Sequence, residues 1–124
     1  MNKEPEVSAG VAAALDRIQS DRHGGLTDLR LMAENGDQHA IIYLGMYLSE
    51  DEDPSQEAID WLEKAQSLGS ADAAWNLAMI SRSRGDDDAT KLWLKRAATL
   101  GESDAIEIVE KGRNLEDVLS KYCD

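Results

Sequence analysis

A chain of 124 residues has the length of one ordinary domain, and its two prolines, absent phenylalanine and wealth of Ala, Leu, Glu, Asp and Lys favour helix over sheet. Thirteen Lys and Arg against 25 Asp and Glu leave a formal charge of -12. Such a field repels phosphate backbones and anionic lipid surfaces, so neither nucleic acid nor membrane is expected as a ligand; it either serves solubility or attracts a basic protein.

The N-terminal stretch MNKEPEVSAGVAAALDRIQSDR carries acids among its first residues, and its short apolar run is interrupted by Gly10 and Asp16. It resembles neither a secretion signal nor a membrane span, and a cytoplasmic location is the expectation. The single cysteine, Cys123, has no partner for an intrachain bridge and reads as a free thiol in a reducing compartment.

In chain order, the pattern predicts a first helix over 6–20, where Val7, Val11, Leu15 and Ile18 share a stripe, and a second over 27–35. A third, over 38–49, follows Gly36 and Asp37. The fourth, over 55–68, carries Ile59, Leu62, Ala65 and Leu68 on one face; Pro54 suits its first turn, with Asp53 or Ser55 as cap. Helices over 71–84, 87–100, 103–111 and 114–122 complete the map. Gly36, Gly69 and Gly101 each end a helix through a left-handed C-terminal cap, and Asp37, Ser70 and Ser103 follow as N-cap or first-turn residues. Gly85 with Asp86, Asp87 and Asp88 makes another stop and start, the aspartates matching the positive end of the next helix dipole. Loops of two to five residues force consecutive helices antiparallel and predict stacked hairpins curving into a right-handed array.

The elements repeat. Superposing Trp61 on Trp93, 32 residues apart, also matches Leu68 with Leu100, Gly69 with Gly101 and Ala73 with Ala105. A step of 33 upstream takes Gly69 to Gly36, Ala73 to Ala40, Leu77 to Leu44 and Ala78 to Gly45, with Asp28 where the tryptophan would be. Small residues at Ala40, Gly45, Ala65, Ala73, Ala78 and Ala97 let helices approach, and Leu44, Leu62, Leu77 and Leu94 fill between them. Trp61 and Trp93 are expected as core fillers. The fold class is therefore an all-α solenoid, one domain, with 1–24 a capping helix and linker, 25–112 the repeats and 113–124 a capping helix.

AAWNLA from Ala73 and AIIYLG from Ala40 resemble the A-x-x-N-L-G core of the SEL-one-like repeat family, a relative of the tetratricopeptide repeat. AIDWLEKAQSLG from Ala58 and WLKRAATLG from Trp93 are similar to the family's other half, so the resemblance covers about residues 27 to 112. The acid turns SEDEDP and SRGDDD replace the family's Gly-rich linker, and its tyrosine after the L-G pair is displaced. What the resemblance implies is a protein-interaction scaffold without a catalytic centre.

Signatures of chemistry are missing from the sequence. His23 and His39 lack metal-ligand spacing, no nucleophile elbow or phosphate-binding glycine loop occurs, and DEDPSQE and DDDATK lack the pattern of an EF-hand. Neither a cofactor nor a metal is expected. Glu34, Asp37 and His39 are neighbours in sequence only, and catalysis is not expected.

Two surfaces are candidates for a protein partner. Asp51, Glu52 and Asp53, with Glu50 beside them, and Asp86, Asp87 and Asp88 fall in equivalent turns of successive copies, so stacking would align them as an acidic ridge; the same residues also read as solvated capping turns. The second candidate is a concave face built from the 38–49 and 71–84 helices and displaying Tyr43, Tyr47, Trp75, Asn76 and Arg82. The functions these support are a scaffold or adaptor holding a peptide or helix, or an immunity-type inhibitor covering a basic toxin.

Overall fold

The computed structural model describes residues 7–122. Residues 1–6 and 123–124, and with them Cys123 and the start expected for the first helix, lie outside the described residues. The helices are α1 (Ala9–Ser20), α2 (Arg22–Glu34), α3 (Gln38–Leu48), α4 (Gln56–Ser67), α5 (Ala71–Ser83), α6 (Asp87–Thr99), α7 (Ser103–Val109) and the short α8 (Leu115–Leu119), which runs into a 3₁₀ turn at Ser120–Tyr122. Among the described residues there is no strand. Each helix from α1 to α8 packs on the next, and α3 also touches α5, the arrangement of a short solenoid of hairpins.

One corner is used four times. At Gly36, Gly69, Gly85 and Gly101 the backbone φ lies between +75° and +100°, and a Cβ there would meet the strain of the left-handed region. At Gly69, its N–H donates to the Gln66 carbonyl at 2.9 Å and the Ser70 N–H to the Ala65 carbonyl at 3.1 Å, the paired bonds of a Schellman motif. Ser70 is at once the next N-cap: its side chain accepts from the Ala73 N–H at 3.1 Å. Asp37 and Asp86 do the same after their glycines, bonding the Ala40 and Ala89 N–H groups at 3.0 Å. In the fourth corner Glu102 takes this role and Ser103 is the first helical residue, not the cap. A three-residue corner that both ends and starts a helix turns the chain back on itself, so the hairpins follow from local chemistry.

The repeat register is visible in burial. Ala40, Ala73 and Ala105 are fully buried, as are Leu29 and Leu62, with Leu94 nearly so. Leu29 stands one repeat before Leu62 and anchors the first copy, which lacks the tryptophan. The core falls into two clusters. The larger joins α1 to α5 around Leu29, Leu44 and Leu62; the smaller joins α5 to α7 around Ala74, Leu94 and Ala97. Helix α5 serves both, giving Ala73 and Leu77 to one and Ala74 and Ala78 to the other. Trp61 and Trp93 are half-buried against these clusters, Trp93 against both.

Polar bonds between residues about one repeat apart tie the layers. Arg30 of α2 donates to both carboxylate oxygens of Glu57 on α4, at 2.7 and 3.0 Å, while the Trp61 indole N–H adds a third bond at 3.3 Å. These bonds, chiefly that from Arg30, hold the Glu57 carboxyl below its ordinary value. Arg96 of α6 reaches Gln66 at the end of α4 through side-chain oxygen and carbonyl, at 2.8 and 3.2 Å.

The sequence expectations require three corrections. Helix α2 begins at Arg22, not near 27, so the expected linker through residue 24 is the first turn of a helix capped by Asp21. The diglycine inside it is there for contact: a Cβ on Gly25 would stand 2.7 Å from the Ile18 nitrogen and 2.8 Å from the Ala14 carbonyl oxygen. Pro54 is buried ahead of the cap of α4, and Ser55 is that cap, accepting from the Ala58 N–H at 3.2 Å. Loop lengths also fall outside the expected range in both directions, since a single residue, Asp21, joins α1 to α2, whereas residues 49–55 separate α3 from α4.

Candidate functional site

Helix α3 is apolar on two sides. Ala40, Ile41, Leu44 and Gly45 are buried in the core, whereas His39, Ile42, Tyr43, Met46 and Tyr47 form a second stripe that is only half-buried. A helix apolar all round belongs in an interior. Here the second stripe looks onto an open groove whose other wall is the start and middle of α5.

Three adjoining cavities make up the groove. The central one, about 400 Å³, is lined by His39, Ile42, Tyr43, Met46, Tyr47 and Glu50 of the α3 side and by Ser70 and Asp72 of the α5 side. Toward the 49–55 loop it continues, through Met46 and Glu50, into a space of about 430 Å³ bounded by Asp51, Glu52, Asn76 and Met79. In the other direction, through His39, Ile42 and Asp72, it opens past Leu68 and Gly69. The lining of all three contains the acids Glu50, Asp51, Glu52 and Asp72 and neither Lys nor Arg. Among the described residues, the hydroxyls of Tyr43 and Tyr47 have no hydrogen-bond partner. Asn76 is spent internally, its amide donating to the Met46 Sδ at 3.3 Å and the Ser49 hydroxyl at 3.5 Å.

Of the concave-face candidates, the groove therefore gathers Tyr43, Tyr47 and Asn76. Trp75 lies elsewhere, half-buried against the smaller cluster, and Arg82 is exposed, clamping both carboxylate oxygens of Glu116 on α8 at 2.6 and 2.8 Å. His39, Ile42, Met46 and Met79 line the groove without having been singled out in the sequence. The repeating i, i+4 pairs Ile42–Met46 and Tyr43–Tyr47, beside an already complete core stripe, are the signal that points to them.

Arginines pair with part of the acidic 49–55 loop. Arg84, in the α5–α6 corner, donates to Asp53 at 3.0 Å and to the Pro54 carbonyl at 2.8 Å. Arg22 donates to Glu50 at 3.1 Å and to the Tyr47 carbonyl at 3.0 Å. Asp86 caps α6, and Asp87 and Asp88 stand exposed in its first turn. Asp51 and Glu52, exposed and without an ion-pair partner among the described residues, remain as open charge, and both face the groove.

At the other end of the chain, Asp104 of α7 is 4% exposed and accepts from the Lys121 ammonium and the Tyr122 hydroxyl. The bond from Lys121, followed by that from Tyr122, holds its carboxyl below the ordinary value. This fastens the C-terminal turn onto the last repeat.

Among the described residues no three His, Cys, Asp or Glu side chains converge as a metal ion would require, and no helix is long and apolar enough to cross a membrane. No family model matches the chain, and comparisons with curated proteins and with solved structures return no match.

Proposed function

We propose that this chain is a non-catalytic protein-interaction module, a scaffold or adaptor that holds a partner in the groove between α3 and α5. The observation that carries the reading is the second apolar stripe of α3. Ile42, Tyr43, Met46 and Tyr47 are large, half-buried and contiguous, and line a groove on a helix whose opposite side is fixed in the core. Contiguous aromatic and Met side chains on a rigid element are the usual material of binding hot spots. The resemblance of AIIYLG and AAWNLA to SEL-one-like repeats supports the same reading.

The test is capture from the source cell's lysate by the intact chain and by Tyr43→Ala/Met46→Ala, whose fold is verified by its helical signal and melting. One protein recovered by the first and lost with the second is the expected result. A partner retained undiminished by the double variant would overturn the groove as its site.

The narrower second reading, an inhibitor covering a basic toxin, draws support from the charge of -12 and from Asp51 and Glu52, which have no ion-pair partner among the described residues. Its mark would be a basic partner whose activity is lost on binding and regained when Asp51, Glu52, Asp87 and Asp88 are replaced by Asn or Gln.

A further inference from the structure

We infer that the occupant of the groove is an amphipathic helix of another protein, about three turns long, with an apolar stripe seated on Ile42, Tyr43, Met46 and Tyr47 and Lys or Arg along its flanks. The inference rests on the interaction-module reading and adds the chemistry of the partner.

Shape comes first. The groove runs along α3, whose 11 residues span about 16 Å, and its apolar stations recur at the helical spacing of three and four. A partner helix with anchors at i, i+3 or i+4 and i+7 presents the complementary ridge. A partner strand adding through its backbone would need an unpaired sheet edge, and the described residues contain no strand.

Charge fixes the flanks. Among the described residues the groove lining holds four acids and neither Lys nor Arg, Arg22 reaching Glu50 and the Tyr47 carbonyl from outside it, and the one other titratable group of that lining besides the tyrosines is His39. Arg22 neutralises Glu50 in part, but Asp51, Glu52 and Asp72 face solvent without an ion-pair partner among the described residues. An apolar helix with acidic flanks would bring like charges together in a partly desolvated cleft. A second copy of this chain would add its own -12. Basic flanks remove that repulsion, and over the short separations across a groove they are incompletely screened at physiological salt, where the screening length is about 8 Å. The hydroxyls of Tyr43 and Tyr47, without a hydrogen-bond partner among the described residues, line the same cavity and can bond polar groups of the occupant.

The test uses the full isotope-labelled chain and two synthetic helices of about 14 residues with the same leucine stripe, one flanked by Lys and one by Glu. The Lys-flanked peptide is expected to shift the amide signals of Ile42 to Tyr47. Its affinity should fall about three- to tenfold when Asp51→Asn, Glu52→Gln and Asp72→Asn are combined, and should fall with added salt. Equal binding of the Glu-flanked peptide in the groove would overturn the basic partner while leaving the interaction module standing. Lys-peptide shifts confined to the Asp87 and Asp88 region, or no groove shifts with either peptide, would overturn the inference itself; the module then stands or falls on whether Tyr43→Ala/Met46→Ala abolishes capture of the cellular partner.

Discussion

Arg84 donates to Asp53 across the boundary between two hairpins, and a second bond to the Pro54 carbonyl makes the guanidinium a clip on the 49–55 loop. The ion pair itself is weak, because Asp53 is 87% exposed at its side chain and water screens it. The carbonyl bond is partly buried and carries more of the effect. Arg84→Ala should therefore cost only about 1 kcal/mol of global stability. Amide hydrogen exchange in residues 49–53 should nonetheless quicken more than in α3 or α4. Unchanged loop exchange would show that the loop holds itself.

Burial sets a clear contrast between two leucines one repeat layer apart. Leu62 is fully buried and packs against the close approach at Gly45, where an added Cβ would stand 3.2 Å from the Leu62 nitrogen. Leu92, on α6, is 62% exposed. Leu62→Ala is expected to cost about 2–5 kcal/mol through lost burial and the cavity left behind. Leu92→Ala should stay within about 0.5 kcal/mol of the parent. Urea denaturation of both variants reads the difference, and similar losses would contradict the layer assignment.

How much of this was legible in the sequence follows the range of the interactions. The corners at Gly36, Gly69 and Gly85 could be read because the C-terminal cap and the next N-cap are neighbours in the chain, and the all-helical hairpin fold follows from them. The start of α2 was not legible: Gly24 and Gly25 look like a linker until α1 is packed against them, and only that contact gives the diglycine its reason. Trp75 and Arg82 were placed on the right helix, but which side of α5 faces the groove depends on how two clusters share that helix. The arginine partners of the acidic 49–55 loop, Arg22 on Glu50 and Arg84 on Asp53, lie 28 and 31 residues away and emerge only when the layers are stacked.

The Asp104 tether should respond to acid in a defined direction. Its carboxyl is held below the ordinary value of 3.8, first by Lys121 and then by Tyr122, so the anion is favoured in the folded chain. The stabilisation is then fully present above about that value and is lost as pH falls through the lower folded one. Between pH 7 and 5 the exchange protection around Val118 should be flat, and below pH 4 it should fall before that of Leu44 and Leu62. At the alkaline end, Tyr122 is held above its ordinary value of 10.0, chiefly by the same carboxylate, so its contribution persists to pH 10 and fades above it. Asp104→Asn should remove the acid step. An acid step of unchanged size in that variant would place its origin elsewhere.

The two adjacent glycines of α2 should differ in what they tolerate. At Gly24 an added methyl meets the guanidinium of Arg17 and the carboxylate of Asp21, exposed side chains that can shift, though moving Asp21 weakens the cap of α2 by about 1 kcal/mol. At Gly25 it meets the backbone nitrogen of Ile18 at 2.7 Å and the Ala14 carbonyl oxygen at 2.8 Å, which cannot move without displacing α1. Alanine gains about 1 kcal/mol of helix propensity at either site. Gly24→Ala should thus be near neutral, while Gly25→Ala should lose a net 1–2 kcal/mol or so as overpacking outweighs propensity. Trimming the other contact, as in Gly25→Ala/Ile18→Ala, should not restore stability, because the obstacle is main chain and the trim opens a cavity. Melting curves of the three variants test this; a stable Gly25→Ala would mean that α1 and α2 are farther apart than their glycine contact implies.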